Sequence, residues 1–87
     1  MDPKFKEEIE GLYSKYTELL IGEANEEMTE KVKVWILYNH IAKSMPALAR
    51  HWNGTCPESK ESVKKLIMEI KELNEAKRKE ENNRNGS

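Results

Sequence analysis

Residues 28–45, MTEKVKVWILYNHIAKSM, are apolar around most of a helical cylinder. At about 3.6 residues per turn, Met28, Val32, Trp35, Ile36 and Ala42 fall on one side, and Val34, Leu37, Tyr38, Ile41 and Met45 spread onto the next. Thr29, Lys33, His40 and Ser44 form a narrow polar stripe. A helix so apolar needs neighbours on at least two sides. The chain is therefore expected to be built around this one central helix.

The flanking segments carry helix signals of their own. Residues 3–21 begin with Asp2 as a cap and Pro3 at the first helical position, and end before Gly22, which suits a left-handed terminator. Phe5, Ile9, Leu12, Tyr13, Tyr16, Leu19 and Leu20 recur at helical spacing, which predicts one buried face with Ile21 falling off it. Asn25 can cap the central helix, with Glu26 and Glu27 at its positive end. Pro46 stops that helix and opens a short one that carries Leu48, Ala49 and Trp52 inward and ends at Asn53-Gly54. Thr55 and Glu58 fit a capping box for a last helix, whose apolar face is Val63, Leu66, Ile67, Ile70 and Leu73. From Glu75 onward a single Ala stands among charged and polar residues, so residues 75–87 are expected to be a disordered charged tail or linker. The terminal Gly-Ser reads as added residues or the start of a linker, and the chain as the N-terminal module of a larger protein. The fold expected is all-α: a small bundle of three main helices plus one short helix after Pro46, over residues 1–74.

Eighty-seven residues suit one domain, and a chain this short buries only about 60% of its unfolded surface. The net charge of −1 gives no global attraction to nucleic acid or anionic membrane. It is unevenly spread, however. Residues 1–30 hold nine acidic and three basic side chains, and residues 31–60 hold one acidic and five basic. That asymmetry can orient a partner or let the first helix pack on the middle of its own chain. The single cysteine, Cys56, excludes an internal disulfide and suits a reducing compartment. No secretory leader is visible, and no stretch approaches the roughly 18 apolar residues of a membrane span. An intracellular location, cytoplasmic or nuclear, is expected, with no membrane association.

Chemistry is sparse. His40, His51 and Cys56 have no zinc-like spacing, and no metal or cofactor is expected. Cys56 lacks a recognisable orienting base or oxyanion donor. Glutamates such as Glu61 sit one turn from a lysine, here Lys65, as solvated helix faces do. The glycines form no phosphate loop. Asn53-Gly54-Thr55 is a formal glycosylation sequon, read here as turn and capping chemistry. The chain is not expected to be an enzyme.

The apolar surface of the central helix exceeds what its narrow-striped neighbours can cover. Val34, Leu37, Tyr38, Ile41, Met45, Trp52 and Met68 are therefore the candidate partner-binding residues, lining a groove for another protein's helical or acidic segment. Lys33, Lys43, Arg50 and Lys64 are the candidate basic rim. The leading expectation is a non-enzymatic adaptor or scaffold domain. The alternatives are nucleic-acid binding through the basic region 31–65, where Lys31, Lys60 and Lys65 join the rim among aromatics, and homodimerisation through the leftover apolar face.

Overall fold

The computed structural model describes the backbone of residues 1–86 and the side chains of residues 1–82. Four helices follow one another: α1 (Pro3–Ile21), α2 (Glu26–Ser44), α3 (Pro46–Thr55) and α4 (Pro57–Gly86). There is no strand among the described residues, so the all-α bundle expected from periodicity is what forms. Helix α2 is central and packs on α1, α3 and α4; α4 also closes on α1 and α3.

Local chemistry sets most of the boundaries. The Asp2 carboxylate accepts from the Lys4 N–H at 3.2 Å, and Pro3 occupies the first turn of α1. Gly22 ends α1 at φ 90°, a left-handed conformation that costs glycine little, and its N–H bonds the Glu18 carbonyl at 2.9 Å. Asn25 caps α2, its side-chain oxygen accepting from the Met28 N–H at 2.8 Å, with Glu26 and Glu27 in the first turn. Met45 breaks α2 from α3 because Pro46 follows it.

The core is small and lies at one end. Ile21, Met28, Val32 and Ile70 are buried together, with Leu20, Trp35, Ile36, Leu66 and Leu73 packed around them. The cluster joins the C-terminal end of α1, the N-terminal half of α2 and the middle of α4. Two expectations fail here. Ile21, expected to fall off the packed face of α1, is in the core, and Thr17 is buried beside it with its hydroxyl donating to the Tyr13 carbonyl at 2.8 Å. Conversely, Phe5, Leu12, Tyr16 and Leu19 of the expected buried stripe are exposed. The reason is where α4 crosses: it meets α1 at its C-terminal turn, so the buried side is set by that crossing.

The other departures concern the second half of the chain. Asn53-Gly54 does not end α3, which continues to Thr55. Thr55 turns its hydroxyl back to the His51 carbonyl at 2.8 Å instead of capping α4, and Cys56 separates the two helices. Residues 75–86, expected to be disordered, continue α4. Asn74 donates from its side-chain nitrogen to the Leu20 carbonyl at 2.8 Å, and the Lys77 ammonium donates to the Glu18 and Leu19 carbonyls. These two residues tie the charged stretch to the end of α1. The reading of the terminal Gly-Ser rests on Ser87, which lies outside the described residues.

Candidate functional site

The C-terminal half of α2, α3 and the start of α4 enclose an apolar groove of about 250 Å³. Val34, Leu37, Tyr38 and Ile41 supply the α2 wall, Leu48, Ala49 and Trp52 the α3 wall, and Val63 the α4 end. The wide apolar surface of α2 explains why the groove exists. Its N-terminal half is used by the core, whereas the turn after Ser44 sends the chain into a helix of only 10 residues, too short to cover the rest.

One polar tie fixes the groove's shape. The Tyr38 hydroxyl donates to the Asn53 side-chain oxygen at 3.0 Å, and the Tyr38 and Trp52 rings meet at 6.1 Å with a 58° tilt. Both contacts hold α3 against α2 and keep the aromatic wall in place. Leu37, at 59% exposed, stands at the mouth, with Val34 and Leu48 also exposed.

Of the residues chosen from sequence, Val34, Leu37, Tyr38, Ile41 and Trp52 come together in this groove. Met45 is exposed at the α2–α3 junction and Met68 is exposed on α4, and neither lines it. Leu48, Ala49 and Val63, whose spacing predicts inward faces, also line the groove; Ala49 and Val63 are buried at its base, and Leu48 is exposed.

Two of the four residues expected as a basic rim, Lys33 and Lys43, lie away from the groove. The Lys33 ammonium is drawn toward α1, bonding Glu10 at 2.7 and 2.9 Å and Glu30 at 3.1 Å, and it lies 5.1 Å from the centre of the Tyr13 ring. Its pKa is raised, chiefly by the hydrogen bond it donates to the Glu10 carboxylate. Lys43 borders a separate shallow depression with Tyr16, Trp35, Ile36 and His40. Arg50 and Lys64 are exposed, with Lys64 3.9 Å from Glu61. Lys31 bonds Glu69 of α4 at 3.0 and 3.1 Å and stands 3.5 Å from Glu27, and the Glu69 hydrogen bond raises its pKa. Opposite charges thus meet within the chain, α2 joining α1 through Lys33–Glu10 and α4 through Lys31–Glu69.

No group of three or more His, Cys, Asp or Glu among the described residues is placed to hold a metal ion. Cys56 is a half-buried free thiol. No described helix is long and apolar enough to cross a membrane.

Residues 3–80 match the family described as protein of unknown function, DUF2573. The chain is also similar to the uncharacterized protein YusU of Bacillus subtilis (strain 168), with 60% identity over 78 residues, covering 90% of this chain and 82% of that protein. No solved structure matches it.

Proposed function

We propose that this chain, which belongs to the DUF2573 family, is a non-enzymatic interaction module whose α2–α3–α4 groove receives an amphipathic helix of another protein. The observation that carries the reading is the groove itself: an open trough walled by aliphatic and aromatic side chains, with Leu37, Val34 and Leu48 left exposed at its mouth. Grooves of this kind between helices take the apolar face of a partner helix. Apart from the Tyr38 phenol, already held by Asn53, the lining carries no ionisable group, which suits docking rather than bond chemistry.

Charge favours an acidic flank on that partner. Arg50 is the one charged side chain of α3 and is exposed. Lys64 adjoins Val63 on α4, and its pairing with Glu61 is long and solvent-exposed, hence weak. Both are free to meet carboxylates beside the groove. Nucleic-acid binding has less support, since Lys31 and Lys33 are each engaged by two carboxylates of the same chain.

The test compares affinity capture by the natural chain, by Leu37→Glu and by Leu12→Glu, all after nuclease treatment. A protein retained by the natural chain and by Leu12→Glu but lost with Leu37→Glu supports the groove. Because Leu37 is 59% exposed, its change to Glu is expected to leave helicity and melting close to those of the natural chain. If Leu37→Glu unfolds the domain, or if binding survives it, the assignment of this face is wrong.

A further inference from the structure

The exposed stripe of α1 is separate from the groove. Its neighbour on α2 is Ile36, two residues and about 200° around the helix from Val34 in the groove. Phe5, Ile9, Leu12, Tyr16 and Leu19 follow one another at intervals of four, three, four and three. That is the spacing by which two helices interlock side by side. Leu12 is 65% exposed, Phe5 50% and Tyr16 40%, so the seam is open along its length. Ile9, Leu12, Tyr13, Tyr16 and Ile36 already outline a hollow into which a facing side chain would drop.

The charges beside the seam identify what fits it. One flank is occupied by the chain itself: Tyr13 lies under the Lys33 ammonium and Leu20 packs on the core. The open flank carries Glu8 and Lys15, one at each end, and both are exposed. Lys15 has only a loose contact to Glu18 at 3.6 Å. A parallel second copy would aim these charges at the flank already covered by α2. In an antiparallel copy they face each other across the seam. Of the neighbouring antiparallel registers that interlock the stripe, one sets Glu8 against Glu8 and another sets Lys15 against Lys15. The register centred between Glu10 and Gly11 sets Glu8 against Lys15 twice, by symmetry. That same register stacks Phe5 on Tyr16 and Ile9 on Leu12 of the second copy, also twice.

We infer that α1 is a self-complementary dimerisation helix, and that two copies of the chain associate through antiparallel α1 helices with reciprocal Glu8–Lys15 pairs. The contact is isologous, as two-fold symmetry requires, and it covers apolar side chains that the small core leaves in water. It involves none of the groove residues, so a dimer presents two grooves.

Sedimentation equilibrium of the 87-residue chain tests this. The expected mass is twice 10.2 kDa, dissociating on dilution and more readily at high salt. Glu8→Lys is expected to weaken the dimer by about tenfold, since attraction becomes repulsion at both ends. Adding Lys15→Glu to it is expected to restore association. Leu12→Glu is expected to give a monomer with unchanged helical circular dichroism, whereas Leu37→Glu leaves the dimer intact. A chain that stays monomeric to millimolar concentration overturns the inference, as does a larger assembly. So does a dimer that Leu37→Glu disrupts and Leu12→Glu does not, or a charge exchange that fails to restore what the single reversal lost.

Discussion

The last carbonyls of α1 find their partners on another helix. No basic residue lies in the last turn of α1, and the Gly22 N–H satisfies only the Glu18 carbonyl. Asn74 reaches the Leu20 carbonyl, and the Lys77 ammonium reaches those of Glu18 and Leu19, where a cation also meets the negative end of the helix. No buried side-chain nitrogen or oxygen among the described residues is without a partner. Asn74→Ala would leave the Leu20 carbonyl half-buried and unmatched, at a cost of about 1–2 kcal/mol. Urea unfolding should therefore show an earlier midpoint for Asn74→Ala with an unchanged slope. An unchanged midpoint would mean that water replaces the amide without loss.

At the scale of elements, α4 does two jobs along its 30 residues. Its first half buries Val63 and Ile70, and its second half clamps α1 through Asn74 and Lys77. Composition alone made residues 75–87 look like a tail, because a single Ala offers nothing to bury. The stretch is helical at its start because one long side chain finds backbone acceptors, a contact that hydropathy does not register. Ending the chain after residue 75 removes Lys77 and should lower the melting temperature by about 5 °C, the equivalent of roughly 1 kcal/mol in a domain this small. Ending it after residue 82 keeps the clamp and should leave melting unchanged. Equal melting of the two truncated chains would show that Lys77 contributes nothing to the fold.

The whole molecule is open rather than spherical. Its radius of gyration is 15.4 Å, against about 12 Å for a compact chain of this length. Part of the excess is the length of α4, whose 30 residues span about 45 Å at 1.5 Å per residue, in a molecule 49 Å long. The rest reflects a core confined to one end, with apolar faces left on both sides of α2. Between helices, ion pairs supplement that limited core: Lys33 bridges α2 to Glu10 of α1, and Lys31 bridges it to Glu69 of α4. Both lysines have raised pKa values in the folded state. Their contribution is therefore complete below the ordinary lysine value of 10.5, and is lost as pH climbs through their higher native values. As pH rises from 10.5 through those native values, the natural chain should lose stability more steeply than Lys31→Gln, as read from thermal melts along an alkaline series. Parallel curves would assign the alkaline loss to other groups.

The sequence by itself determined the helices and their N-terminal starts at Pro3 and Glu26, because Asp2, Asn25, Gly22 and Pro46 act within one turn of where they stand. It also determined that α2 is central, since a helix apolar on so many sides has no other stable place. Much of the groove was legible for the same reason: Val34, Leu37, Tyr38 and Ile41 exceed what short α3 can cover. Only the tertiary structure decided which apolar faces close. The stripe of α1 is as regular as any in the chain, yet Thr17 and Ile21 are buried while Leu12 is not. Periodicity records that a helix has a face, whereas the crossing of α4 over the end of α1 decides which face is covered. The lysines follow the same rule: sequence gives their charge, and the carboxylates brought beside them by packing decide whether that charge is available to a partner.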